Sequence, residues 1–365
     1  MEIIINGRFL TQKITGVQKY AYQLVKEIDS LIEKGEIDKK KFQFKIFAPR
    51  NIIHKLELKY IPIKKVGFLK GHFWEQLEFP IYLRNKVFIC LGNTAPLISL
   101  FLNKKGIVTV HDLGFKYFPE NYHLLFRAFY SIIIPIILKY AWAIITVSES
   151  EKRLILKRYS FVKNKIFAIS QGGFIENPLT SIEIKEKDYL LYVGSLAKKK
   201  NLINFLLAFE IIVNKNTPLN AIVIAPEGKI FEKVNINIKP EVKKRVKFIN
   251  KVNDQELIAY YKNAFCLVFP SFHEGAGIPP IEAMSCGCPV LCSDIPVLKE
   301  RCGEGAIYFN PYSPQDIAQK IVLLFENQKL REELIKKGYQ RAKIFKWENT
   351  AKKTVKLLER LIFKI

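Results

Sequence analysis

The chain is poor in acid. Against 58 Lys and Arg it sets only 34 Asp and Glu, leaving a formal charge of +24 over 365 residues. That balance favours anionic partners such as nucleic acid, anionic lipid or phosphorylated substrates. A solvated lysine-rich surface accounts for it equally well. Long apolar runs are missing too. The run after Arg127 covers only Ala128–Leu138, contains Pro135 and stops at Lys139, about half of the roughly 20 residues a spanning helix needs. An integral membrane protein is thereby excluded. The opening Glu2-Ile3-Ile4-Ile5-Asn6 lacks the basic region of a secretory signal and predicts a strand, which points to the cytoplasm. Six cysteines form no CxxC pair, and no histidine follows them at finger-like spacing. No metal site is expected, and the thiols are expected to pack reduced, as small apolar groups. Repeats, low-complexity blocks, RNP aromatics and basic heptads are all absent.

What is present is a folded chain, 49 % hydrophobic and 13 % aromatic. Short apolar runs alternate with longer helical patterns. The first half predicts strands over 2–6, 42–48, 87–91, 106–111, 143–147 and 166–169, with helices over 17–31, 122–140 and 150–159. The pattern then restarts, with strands over 189–194, 221–225, 246–249, 265–269, 289–293 and 306–309. Near-continuous Val, Ile and Phe runs suit parallel strands covered on both faces. Two successive series of this kind predict two doubly wound α/β domains. The tail is helical, opened by Ser313 as N-cap and Pro314 in the first turn.

Ligands of open parallel sheets collect at the carboxyl ends of strands, and three strand exits carry chemistry. At the first, Val110-His111-Asp112, the histidine is expected to project into a cleft; a structural, hydrogen-bonded histidine fits an isolated His-Asp pair as well. The second, Gly194-Ser195-Leu196-Ala197-Lys198-Lys199-Lys200, sets three lysines before a helix, a site for a diphosphate, although neither GxxxxGK[ST] nor GxGxxG is present. At the third, Glu274-Gly275-Ala276-Gly277-Ile278-Pro279-Pro280-Ile281-Glu282, glycines let backbone N–H groups approach an anion. Two carboxylates there can accept hydrogen bonds from sugar hydroxyls.

These residues resemble family 4 of the retaining, nucleotide-sugar glycosyltransferases, whose GT-B architecture sets two Rossmann-like domains face to face across a nucleotide-sugar cleft. The resemblance covers essentially the whole chain. It implies an acceptor-side domain over 1–172, a linker over 173–188, a nucleotide-sugar-binding domain over 189–345, and a C-terminal helix, 346–365, packing back on the first domain. Glu274–Glu282 looks like the family's E-x7-E motif, in which the first Glu meets the donor sugar and the second the ribose. By the same resemblance Lys200 lies on the donor phosphates and His111 in the acceptor-side catalytic pocket. Gly16, Ser195, Lys199, Phe248, Val252, Gly275, Ala276, Gly277 and Ile278 would complete the donor site. Ser195 and Lys199 stand where Arg is frequent, and Ala276 where an aromatic is. Trp74-Glu75-Gln76-Leu77, Thr109–Leu113 and Phe118-Pro119-Glu120 resemble the branch of bacterial O-antigen mannosyltransferases.

The resemblance implies transfer of a hexose, mannose in first place, from a nucleoside-diphosphate sugar (GDP-mannose) to a glycan or lipid-linked glycan in surface polysaccharide synthesis, with no cofactor and no metal. A GT-B enzyme with another donor and a soluble acceptor, or a non-catalytic polyanion-binding protein, are the alternatives. Nucleic acid is not expected as a partner. Because such acceptors are commonly lipid-linked, residues 122–140 read either as an interfacial helix on an anionic membrane or as a buried helix of the first domain.

Overall fold

The computed structural model describes residues 1–103, 105–174, 178–225, 239–250 and 252–363. The chain forms two compact units, Met1–Gly172 with Trp347–Ile365, and Gly173–Lys346.

The first unit is built on seven parallel strands: β1 (Glu2–Asn6), β2 (Gln43–Ala48), β3 (Ile63–Lys65), β4 (Val87–Cys90), β5 (Gly106–Thr109), β6 (Ala143–Thr146) and β7 (Ile166–Ala168). Their order across the sheet is β3-β2-β1-β4-β5-β6-β7. Ile3 and Ile5 face one apolar layer while Ile4 faces the other, so the continuous isoleucine run is explained by burial on both faces. Helix Gly16–Glu33 covers one face with Tyr20, Leu24, Ile28 and Leu31, a stripe at helical spacing, each worth about 1.5–3 kcal/mol when fully buried. The C-terminal helix Trp347–Phe363 lies against it and adds Ala351, Val355 and Leu358 to the same layer.

The second unit repeats the plan with six parallel strands: β8 (Tyr189–Val193), β9 (Asn220–Ile224), β10 (Val246–Ile249), β11 (Ala264–Phe269), β12 (Val290–Ser293) and β13 (Ala306–Phe309), in the order β10-β9-β8-β11-β12-β13. All six cysteines of the chain are buried thiols, and Cys286, Cys288, Cys292 and Cys302 pack in one apolar layer here. In each sheet the strand order reverses beside the first strand, at β1/β4 and at β8/β11. Those two switch points are where the loops of each unit can converge on a ligand.

Several boundaries differ from the pattern of the sequence. β5 ends at Thr109 rather than at His111. Val110 still donates to Ile145, after which the Asp112 carboxylate accepts the N–H of Gly114 and turns the chain. β3 was not expected: three residues, two of them lysines, carry no apolar run, and the strand forms by pairing with β2 at the edge of the sheet. The expected linker 173–188 is part of the second unit. Gly173 donates to the Phe345 carbonyl, and Phe174 and Ile184 pack on that unit's core; residues 175–177 lie outside those described. No helix among the described residues is long and apolar enough to cross a membrane.

Candidate active site

In the second unit, the exits of β8 and β11 are tied together residue by residue. The buried Tyr192 hydroxyl donates to the carbonyls of Ser195 and Lys200, both at 3.2 Å, and so closes the loop after β8. Burial, with the Glu274 carboxylate nearby, pushes the Tyr192 phenol far up, keeping it a donor. Lys198–Lys200 form a single 3-10 turn. Asn201 then adopts the left-handed conformation at φ +58°, which starts helix Leu202–Asn214 in a new direction. Its amide donates to the carbonyls of Pro270 (2.9 Å) and Pro311 (2.8 Å), joining the ends of β11 and β13. The Lys199 carbonyl accepts the N–H of Phe272 at 2.8 Å. The three lysines therefore do not act alike. Lys198 is exposed, Lys199 joins two loops through its backbone, and the Lys200 ammonium lies 2.6 Å from Oε1 of Glu274, 5.3 Å from the centre of the Phe269 ring.

After Glu274 comes a loop through Gly275, Ala276 and Gly277. Gly277 sits at φ +58°, where a Cβ would lie 2.9 Å from Leu298, and it caps helix Ile278–Ser285. Pro279 and Pro280 fill the first turn and bring no N–H groups of their own. Donors for an anion at this end must come from Gly275, Ala276, Gly277 and Ile278 rather than from a whole helical turn. Glu282 follows one turn on and is buried rather than on the surface. It lies beside the Tyr261 hydroxyl, whose pKa burial and this carboxylate together push well up. Phe248 and Val252, both expected in the donor site, pack on different apolar layers of the second unit. Phe248 packs on the layer of Phe205 and Val223, Val252 on the opposite layer with Ile258. β10 ends at Ile249, so Val252 lies in the loop before helix Asp254–Asn263 and is not held to the face that Phe248 takes.

The first unit carries a separate polar cluster at β1/β4. Asn6, the last residue of β1, donates to Glu75 Oε1 at 2.7 Å, and its carbonyl oxygen accepts the N–H of Arg8 at 3.0 Å. Arg8 donates through Nε to the same Glu75 oxygen (3.2 Å) and through Nη2 to Thr94 Oγ1 (2.7 Å). Glu75 sits in a π-helical turn, Trp74–Glu78, a distortion common at functional positions. The neighbours fix that turn. Trp74 donates to the Val66 carbonyl, and Gln76 bonds both the Ala95 carbonyl and the Leu97 N–H. Burial alone would raise the Glu75 carboxyl, but the Arg8 guanidinium, with His72 and Thr94, outweighs it and holds the group at about 2. Sequence reasoning missed this cluster. Trp74-Glu75-Gln76 stood out, but nothing in the sequence ties Glu75 to Arg8, 67 positions away.

His111 does not project into open space. It is buried, with Nε2 donating to the Leu91 carbonyl at 3.0 Å, Nδ1 3.5 Å from the Gln171 amide, and its ring edge-on to Tyr20. Burial lowers its pKa and keeps the imidazole neutral. Gly16 opens helix Gly16–Glu33 on the surface, with nothing within 4 Å of where its Cβ would be.

Comparison with known proteins decides what family builds these loops. The family model "Glycosyltransferase Family 4" matches residues 44–172, and "Glycosyl transferases group 1" matches residues 177–341. The chain belongs to the family 4 glycosyltransferases. Among its relatives in the family, the O-antigen chain mannosyltransferase RfbU of Salmonella typhimurium is 29 % identical over 325 residues, covering 85 % of this chain and 87 % of that one. The O-antigen chain mannosyltransferase B of Escherichia coli is 26 % identical over 268 residues, 69 % of each. The fold is shared with sucrose-phosphate synthase of Thermosynechococcus elongatus (TM-score 0.74, 17 % identity, 100 % of both chains). It is shared also with HepE of Anabaena, solved with UDP and glucose (TM-score 0.72, 13 % identity, 98 % of this chain and 99 % of that one). The two parallel α/β domains are those of GT-B glycosyltransferases, and the chain is a family 4 enzyme of nucleotide-sugar glycosyl transfer.

Proposed function

We propose that this enzyme transfers a mannosyl group, with retention at the anomeric carbon, from GDP-mannose to the growing glycan of a bacterial O-antigen. The observation that carries the reading is the Lys200–Glu274 pair, held at 2.6 Å by loops from the two strands of the switch point. A cation beside a carboxylate at one strand exit suits a sugar diphosphate: Lys200 meets the phosphates, Glu274 accepts from sugar hydroxyls, and Gly275, Ala276, Gly277 and Ile278 turn backbone N–H groups to the anion. Ser195 and Lys199 border the phosphates, and Glu282, with Tyr261 behind it, accepts from the ribose. The names of RfbU and mannosyltransferase B support the sugar and the product.

In the reaction the bond from the anomeric carbon to the diphosphate oxygen breaks as the bond to the acceptor oxygen forms on the same face. The acceptor's proton passes to the departing phosphate. Lys200 and the loop N–H groups stabilise the charge that grows on the diphosphate, so that removing one such group costs about 10²–10³ in kcat. Neutral, buried His111 supports the acceptor side without carrying charge. We place the enzyme at the cytoplasmic face of an anionic membrane, a reading supported by the exposed apolar side chains of the first unit.

A thermal-shift series tests the donor. GDP-mannose should raise the melting temperature, by the equivalent of roughly 2.7 kcal/mol at a hundred times its Kd, and Lys200→Ala should remove the response while the protein stays folded. A chain that ignores GDP-, UDP- and dTDP-sugars alike would sink the assignment, and a response only to UDP-sugars would replace the donor.

A further inference from the structure

The Lys200 ammonium has a counter-ion in its own chain. Oε1 of Glu274 lies 2.6 Å from it, and the two side chains are only 18 % and 10 % exposed. Among the described residues Lys200 pairs with no other acid and Glu274 with no other cation, so the two charges cancel at the centre of the donor loops. Their surroundings are otherwise uncharged: the Phe269 ring stands 5.3 Å from the ammonium, and the neighbouring Tyr192 phenol is kept neutral by burial. The backbone is tied on both sides. Tyr192 holds the Lys200 carbonyl at 3.2 Å, and the Phe272 N–H, two residues before Glu274, holds the Lys199 carbonyl at 2.8 Å. Whatever anion Lys200 binds, the Glu274 carboxylate therefore stays close to it.

That proximity treats donor and product differently. In a nucleoside-diphosphate sugar the terminal phosphate is capped by the sugar, and each phosphate carries one charge. Transfer breaks the bond between the anomeric carbon and the diphosphate oxygen, leaves its electron pair on the terminal phosphate, and delivers the acceptor's proton there. With a second pKa of about 6, that phosphate passes the proton to water at neutral pH and gains a further charge. The charge arises where the sugar was attached, beside a carboxylate whose sugar hydroxyls have gone. One ammonium cannot neutralise both. Like charges this close, partly shielded from water, change binding by about tenfold or more. We infer that Glu274 discriminates between the intact donor and the released nucleotide: it accepts from the sugar hydroxyls of the one and repels the doubly ionised terminal phosphate of the other, which hastens product release. The inference rests on the glycosyl-transfer reading and gives Glu274 a second use within it.

Calorimetry on the whole chain tests it with three ligands: GDP-mannose, GDP, and GDP methylated on its terminal phosphate, which has the donor's charge but no sugar. At about pH 7 the parent should bind the methyl ester about tenfold more tightly than GDP, a gap of about 1.4 kcal/mol. In Glu274→Gln that gap should close, chiefly because GDP binds more tightly than it does to the parent. A merely structural Glu274, or simple release of Lys200 from its partner, would shift GDP and its ester together and leave the gap in place. The comparison in the parent needs no variant, so it stands even where a substitution disturbs folding. Equal affinities of the parent for GDP and its ester, or a gap that persists in Glu274→Gln, overturns the inference. Binding of GDP-mannose reports the transfer reading. If GDP-mannose binds and the gap is missing, only this inference falls; a parent that binds none of the three ligands loses the transfer reading with it.

Discussion

Glu75 gathers the polar chemistry of the first unit: two hydrogen bonds on one oxygen, and His72 Nδ1 3.4 Å from the other. Its carboxyl lies at about 2 in the folded chain against 4.5 for an ordinary Glu. A depressed carboxyl pKa adds stability that is complete above the unfolded value and disappears as the pH falls through the folded one. The amount is roughly 3 kcal/mol, lost between about pH 4.5 and 2. Glu75→Gln should therefore be less stable at pH 7, by roughly 3–5 kcal/mol because Arg8 is left buried without its counter-charge. It should also lose less stability than the parent on acidification across that window. Urea unfolding followed from pH 7 to 3 measures both, and parallel pH curves for the two proteins would contradict the account. His111 works in the reverse sense. Burial lowers its pKa, so its stabilising effect is full above about 6.5 and declines as the pH drops below that value.

At the scale of elements, two glycines of the candidate site are held for different reasons. Gly277 caps helix Ile278–Ser285 at φ +58° with Leu298 at its back, a conformation costing an L-residue about 1–2 kcal/mol. Gly16 starts helix Gly16–Glu33 without a positive φ and with empty space where a Cβ would be. Gly277→Ala should lower the melting temperature by several degrees, whereas Gly16→Ala should leave it unchanged or raise it, since alanine is the better helix former. A large destabilisation by Gly16→Ala in a melting scan would refute the distinction; lost activity with intact stability would instead mark Gly16 as a ligand contact. The same contrast explains what was legible in the sequence. β1, β4 and β8 are apolar runs buried on both faces, and Gly7, Gly92 and Gly194 follow them within two residues. Lys200 and Glu274 were thus readable separately, each at its own strand end. β3 was not, because an edge strand of three residues with two lysines has no apolar signature. Nor was the Arg8–Glu75 contact, which depends on a π-helical turn that rotates Glu75 inward, a backbone detail no side-chain pattern encodes. Phe248 and Val252 take different layers for a related reason: proximity along the chain says nothing about which side of a sheet each side chain packs on.

At the scale of the whole molecule, the +24 charge has two distinct settings. Three lysines share the turn after β8, and the first unit combines others with exposed apolar surface. Along residues 71–83, Phe73, Leu77 and Ile81 are 72, 57 and 59 % exposed, spaced four apart and so on one helical face. This run meets helix Leu124–Tyr140 through His72 and Phe129, and segment Leu97–Asn103 meets the same helix through Phe101 and Tyr140. Leu124 and Leu125 are exposed on that helix and Ile98 and Leu102 on that segment, while Ile133, Ile134, Ile137 and Leu138 are buried. The two readings of residues 122–140 therefore divide along its length, core at the end and surface at the start. Lys70, Arg84, Lys105 and Lys139 stand exposed on or beside these elements. The acids among them are turned inward or occupied, Glu75 by Arg8 and Glu78 by the N–H groups of Phe68 and Leu69. Apolar side chains ringed by cations suit an anionic bilayer, where each basic residue near the surface adds about 1 kcal/mol and inserted apolar area adds the rest. The chain should co-sediment with phosphatidylglycerol vesicles at low salt, less so as salt shortens the Debye length to about 3 Å at 1 M, and poorly with phosphatidylcholine. Phe73→Ser with Leu77→Ser and Ile81→Ser replaces only exposed side chains, so it should keep the melting temperature while releasing the protein from the vesicles. Vesicle binding equal to the parent's in that variant would show that charge alone holds the enzyme to lipid, and no binding by the parent at low salt would remove the membrane from its function.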